Sequence, residues 1–178
     1  MITPVPQVAS SHYHRRGYLT DERWMSFYHQ FTLVRQTAPQ SVLEIGTGRG
    51  TVARELRAEQ MAVTTLDIDP ALAPDVVGSV TALPFPDASF DTILCAEVLE
   101  HIPWEEFPVA LRELCRAARR FVVLSLPHWG ITWSLYFKAP LLHHRRFFVK
   151  MPWLRTHQWN GEHYWELGKR GFPVRRVK

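Results

Sequence analysis

The sequence predicts an α/β protein, a mainly parallel sheet between two layers of helices, and three observations carry that expectation. Short apolar runs alternate with segments of helical period from residue 40 to residue 126. A loop with three glycines at alternate positions joins the first run to a helix-forming stretch, and the fourth run is apolar enough to be buried on both faces.

Taken in order, residues 21–38 place Trp24, Phe27, Tyr28, Phe31, Val34 and Ala38 at helical spacing, with Thr20 as N-cap, acids in the first turn and Pro39 beyond the end. Residues 41–45 form the first strand, the loop Gly46-Thr47-Gly48-Arg49-Gly50 follows, and residues 51–60 turn Val52, Ala53 and Leu56 to one side of a helix. Strands are expected at 61–68, 76–80, 90–98 and 121–126, with a helix over 103–119 between the last two. Five strands result. The pattern fades after Pro127, and residues 128–171 read as an accessory or lid segment of one domain spanning 1–178, around a core at 40–127.

Composition bounds the function classes. The chain has 178 residues, 46% of them apolar, and nothing in it approaches the roughly 20 apolar residues of a membrane span. Cys95 and Cys115 have no C-x-x-C spacing, lie in segments expected to be core, and come without a secretory leader, which points to a cytoplasmic location. Net charge is +4, but residues 127–178 hold ten Lys/Arg against two Asp/Glu. That third also holds five of the seven tryptophans. It suits a lid over an apolar or anionic acceptor, or a peripheral membrane contact through 129–155; without a long basic stripe it argues against nucleic acid.

In an open parallel sheet a ligand lies at the carboxyl ends of the strands. Asp67 ends the second strand 17 residues after Gly50, where a carboxylate takes both hydroxyls of a ribose, while Asp69 is better placed to cap the helix that follows. Neither residue separates one nucleoside cofactor from another. Read from Gly48, the loop gives G-x-G-x-x-A, a loose dinucleotide fingerprint, but that frame leaves Gly46 unexplained. Glu44 discriminates better, because a carboxylate buried before the loop repels a pyrophosphate and suits a ligand bearing an ammonium and a sulfonium.

Glu44-Ile45-Gly46-Thr47-Gly48-Arg49-Gly50, followed by Leu66-Asp67-Ile68-Asp69-Pro70 and by Gly78-Ser79-Val80 running on to Glu97-Val98-Leu99-Glu100-His101, resembles the class I S-adenosylmethionine-dependent methyltransferases in motif order and spacing over about residues 40–128. The resemblance implies a Rossmann-like α/β/α sandwich and S-adenosyl-L-methionine as cofactor. It implies that Glu44, Gly46, Thr47, Gly48 and Gly50 surround the methionine part, Asp67 binds the ribose, Ile68 packs on the adenine, Ser79 and Val80 meet the adenine edge, and Glu97 lines the pocket.

Two departures stand out. Ser79 replaces an acid that would contact the adenine amino group, and no β-hairpin is legible after the fifth strand, so a shortened chain, or a sheet edge covered by another segment or a second copy, is expected. The implied activity is methyl transfer to a small-molecule or lipid-like acceptor. A catalytically weak binding module is the alternative, and an NAD(P)-dependent oxidoreductase a weaker one. Where a base is needed, His101 and His128 are the candidates, with His163 within reach of the lid; no metal is expected.

Overall fold

A computed structural model describes residues 6–128, 130–139, 142–151, 156–159 and 161–172, with the side chains of 131–151 left aside. After a short helix α1 (Ser11–His14) comes α2 (Asp21–Gln36), then β1 (Ser41–Ile45), α3 (Thr51–Ala58), β2 (Ala62–Asp67), β3 (Val76–Val77), β4 (Phe90–Ala96), α4 (Phe107–Ala117) and β5 (Ala118–Ser125). The five strands form one parallel sheet in the order β3-β2-β1-β4-β5, so the chain reverses direction across the sheet between β1 and β4. That reversal opens a crevice at the carboxyl ends of β1 and β4, where the glycine loop begins.

Alternation within the central strands sorts their side chains to two cores. Val42 and Leu94 pack with Val34 of α2 and with Val52 and Leu56 of α3. Leu43, Ile45, Ile93 and Cys95 point the other way and pack with Phe107, Ala110 and Leu114 of α4. Glu44 therefore shares the α3 side with Val42. The hydroxyl of Thr20 caps α2 by accepting from the Arg23 N–H at 3.3 Å, as the sequence pattern predicts. The apolar stripe of α2 is only half used: Val34 is buried, while Trp24 and Tyr28 lie exposed.

Several expectations are corrected. The run 76–80 shortens to a two-residue strand, because Ser79 turns back through its hydroxyl to Thr81, at 2.8 Å from the Thr81 oxygen. Cys95 is buried, but Cys115 is exposed on the outer face of α4. The segment after Pro127, without one clear period in sequence, contains an antiparallel pair, β6 (Ile131–Ala139) and β7 (Leu142–Met151), which forms a second sheet of its own. A hairpin follows the fifth strand but does not join the main sheet, which keeps the five strands expected. Its side chains, and with them the expected membrane contact through 129–155, lie outside the described residues.

Beyond the hairpin, residues 161–172 return to the main core. Trp165 is fully buried, its ring edge-on to Trp104 and Phe107, and its indole N–H donates to the Ile102 carbonyl at 3.1 Å. Two backbone bonds register the same segment, Tyr164 N–H to Glu100 C=O at 2.8 Å and Leu167 N–H to Pro127 C=O at 3.1 Å. Burying a tryptophan with its N–H satisfied is a strong anchor, and this one sits two residues after His163. Among the described residues, no helix is long and apolar enough to cross a membrane.

Candidate active site

The glycine loop owes its shape to backbone that only glycine adopts readily. Gly46 has φ +78°, and a Cβ there would run into Val98 Cγ2, so the loop passes the turn after β4 in direct contact. The Gly50 N–H closes the loop onto the Thr47 carbonyl at 2.8 Å, and α3 starts at the next residue. The loop thereby forms one wall of a cavity of about 520 Å³, within the roughly 300–1,000 Å³ usual for ligand sites.

Glu44, Gly46, Thr47, Gly48, Asp67, Ile68, Glu97 and His101 all line this cavity. Gly50, Ser79, Val80 and His128 do not. Gly50 serves as the left-handed N-cap of α3, Val80 packs into the core, Ser79 bonds Thr81, and His128 sits in a bridge to Leu167. His163 does line the cavity, its ring 5.0 Å from that of His101 and steeply inclined to it.

The electrostatics of the wall are set by burial. Glu44 is 5% exposed; desolvation pushes its carboxyl up to about 8, against the opposing pull of the Ala53 N–H and the charge of Arg57. Its Oε2 and the neighbouring Thr47 hydroxyl are buried without a hydrogen-bond partner, so the polar end of the cavity holds unmet capacity on both sides of the loop. Asp67 accepts from the Asp69 N–H at 3.0 Å, and Asp69 in turn caps the next turn through the Ala71 N–H at 2.9 Å. Asp69 thus takes the capping role expected of it, and Asp67 faces the cavity.

At the far side the wall is made by the turn after β4. Glu100 is 1% exposed and neither carboxylate oxygen has a hydrogen-bond partner; burial, with Glu97 nearby, drives it well above the ordinary carboxylate range. His101 is held down mainly by burial, and its Nδ1 lies 2.8 Å from the Glu162 carbonyl, which fixes Nδ1 as the protonated nitrogen. Glu97 takes φ +55° at the end of β4, where its carboxylate accepts from the Ser125 hydroxyl at 2.6 Å.

Sequence reasoning missed the cover. Residues 6–20 lie across the cavity, with Tyr13 placed so that a Cβ on Gly48 would touch its ring at 3.4 Å. Burial, and the charge of Asp67 after it, raise the Tyr13 phenol to about 12. Gln7 Nε2 donates to the Tyr164 hydroxyl at 2.9 Å, tying this cover to the C-terminal segment. The only signal in the sequence was the cluster of Tyr13, Tyr18 and His12, whose rings meet edge to face.

Residues 43–124 match the family model of a methyltransferase domain, and they contain the glycine loop, Asp67 and the turn after β4. Over those residues the chain is similar to a methyltransferase domain. That similarity implies S-adenosyl-L-methionine as cofactor.

Solved structures agree on the fold. A S-adenosylmethionine-dependent methyltransferase from Aquifex aeolicus matches with a TM-score of 0.53 at 18% identity, over 67% of this chain and 74% of that one. The PH0226 protein of Pyrococcus horikoshii OT3 gives 0.51 at 16% identity, over 64% and 65%. A S-adenosylmethionine-dependent methyltransferase from Archaeoglobus fulgidus gives 0.50 at 20%, over 59% and 53%. The first three matches span between half and two thirds of the solved chains' own length. Among curated proteins no sequence matches.

The cavity fits the cofactor on its own evidence. An orphaned carboxylate oxygen and hydroxyl would suit a cationic amino-acid end, a cradle without Cβ at Gly46 admits close backbone contact, and a second buried carboxylate faces the same space from β2.

Proposed function

We propose that this protein binds S-adenosyl-L-methionine in the crevice between β1 and β4 and transfers its methyl group to a small-molecule or lipid-like acceptor. The observation that carries the reading is Glu44, a carboxylate buried at the loop with one oxygen unpartnered, which suits an ammonium and opposes a pyrophosphate. An oxidoreductase using NAD(P) is disfavoured by the same residue.

When bound, the cofactor supplies an electrophilic methyl on a sulfonium. The residues of this chain align and exclude. Glu44 would ionise against the amino group, the Thr47 hydroxyl would gain a partner, and Asp67 would hold the ribose hydroxyls with Ile68 beside the base. Tyr13 and the rest of 6–20 keep water from the donor side, a task of positioning rather than of chemistry. His101, neutral through burial, and His163 face the opposite wall, where an acceptor enters. His128, away from the cavity, has no part in this arrangement.

Incubation of the full chain with S-adenosyl-L-methionine and a panel of hydroxyl, amine and lipid acceptors tests the reading through release of S-adenosylhomocysteine. Acceptor-dependent release supports it. Tight cofactor binding with no release across the panel favours the alternative of a binding module without turnover.

A further inference from the structure

The wall opposite the glycine loop holds a cluster that cofactor binding does not use. One ligand atom each from Glu100, His101 and His163 lies within 4.8 Å of the others. Glu100 is the decisive member: it is 1% exposed, neither carboxylate oxygen has a partner in good hydrogen-bond geometry, and the Glu97 carboxyl lies close beside it. A bare carboxylate in that position costs several kcal/mol unless a cation joins it. A proton shared with Glu97 would lower the cost, but would not explain why a ligand atom of each of two imidazoles lies within 4.8 Å of the same carboxylate.

The imidazoles are also prepared. His101 Nδ1 donates to the Glu162 carbonyl at 2.8 Å, and His163 Nδ1 lies 3.2 Å from Glu166 Oε1. Glu166 is itself held by Lys169, whose Nζ is 2.8 Å from Oε2. Carbonyl and carboxylate partners on one ring nitrogen are what orient a histidine that ligates metal through the other. The frame beneath is stiff: Trp165 and the Tyr164 to Glu100 backbone bond hold the segment bearing His163 against the turn bearing Glu100 and His101.

We infer that Glu100, His101 and His163 bind one divalent transition-metal ion, of the zinc or manganese type, on the acceptor side of the cavity. Two imidazoles and a carboxylate favour such ions over calcium or magnesium, which prefer all-oxygen shells. Ligand atoms around zinc lie about 3.3 Å apart, so small side-chain rotations close the cluster, and all three residues line the cavity. The binding site stands independently of methyl transfer. Its use, which rests on the function proposed above, is to seat an oxygen of the acceptor and so to select acceptors that present a hydroxyl or carboxylate.

The test is calorimetric titration of the chelator-treated full chain with zinc chloride and with manganese chloride, alongside the variants Glu100→Gln, His163→Gln and, as an exposed control on α2, His29→Gln. One equivalent should bind to the unaltered chain and to His29→Gln, with affinity at least tenfold weaker in the other two. Thermal melts with and without zinc give a second readout: the ion should raise the midpoint of the unaltered chain and not that of Glu100→Gln. No binding by the unaltered chain, or equal binding by Glu100→Gln and His163→Gln, would overturn the inference. S-adenosyl-L-methionine titrated in the same series keeps the two ideas apart. Metal without cofactor sinks only the proposed function, and cofactor without metal sinks only the metal site.

Discussion

The two walls of the cavity are built in opposite ways. The wall at β1 and β2 comes from one continuous stretch, in which Glu44, Gly46, Thr47, Gly48 and Asp67 all lie within 24 residues of each other and are positioned by two adjacent parallel strands. The wall at the turn after β4 is assembled across the chain: His101 meets the Glu162 carbonyl 61 residues away, and Trp165 meets Ile102 across 63. A local motif keeps its geometry as long as its strands pair. A wall made by distant segments depends on packing, so it fails by unfolding of its anchor as readily as by loss of its polar groups.

Substitutions can break this contrast, and the largest effect is expected at Trp165. Trp165→Ala removes a fully buried ring from the α4 core and should cost about 3–5 kcal/mol in urea unfolding. The His163 wall should suffer first, so that cofactor affinity, measured where the variant remains folded, changes less than any property of the opposite wall. Gly46→Ala makes the reverse case. With φ positive and Val98 in the way, it should destabilise the chain by about 1–3 kcal/mol and weaken cofactor binding beyond detection in a standard titration.

Smaller effects sharpen the local wall. Asp67→Ala should lower cofactor affinity by about 1–3 kcal/mol, the scale of charged hydrogen bonds, with unchanged affinity in a folded variant speaking against its ribose role. Glu44→Gln should weaken binding by a similar amount and also alter the pH dependence of stability. The Glu44 carboxyl is raised to about 8 in the fold, against 4.5 when unfolded. Its contribution is therefore fully present below pH 4.5 and is lost as pH rises through about 8, so the unliganded protein should lose stability across that window. In Glu44→Gln that loss should vanish, which denaturant midpoints at pH 5, 7 and 8.5 would reveal. The smallest effect belongs to the cover: Tyr13→Phe keeps the ring against Gly48 and should change affinity by less than about 1 kcal/mol.

Legibility in the sequence follows the same divide. The five strands, the α2 cap at Thr20 and the cap at Asp69 were readable because each depends on neighbours a few residues away. Glu44 was readable for a different reason, since a lone acid in an apolar strand is costly wherever that strand lies. What escaped was set by contacts between distant segments. Nothing local marks Trp165 as a core residue, Glu100 as buried, or residues 6–20 as the cover, and the hairpin of β6 and β7 was hidden by mixed charge and aromatics without a clear period of two. His128 was chosen because it follows a strand, yet the chain carries its backbone alongside Leu167 instead of into the cavity.

The central claim is that Glu44 gives this crevice to a cofactor with a cationic end. Isothermal titration of S-adenosyl-L-methionine, repeated in buffers of different ionisation enthalpy and set beside NADH, tests it most directly. The expected result is one bound cofactor with release of roughly one proton at pH 7, as Glu44 passes from its protonated to its ionised form, and no response to NADH. Tight binding of NADH with silence towards S-adenosyl-L-methionine would contradict the account.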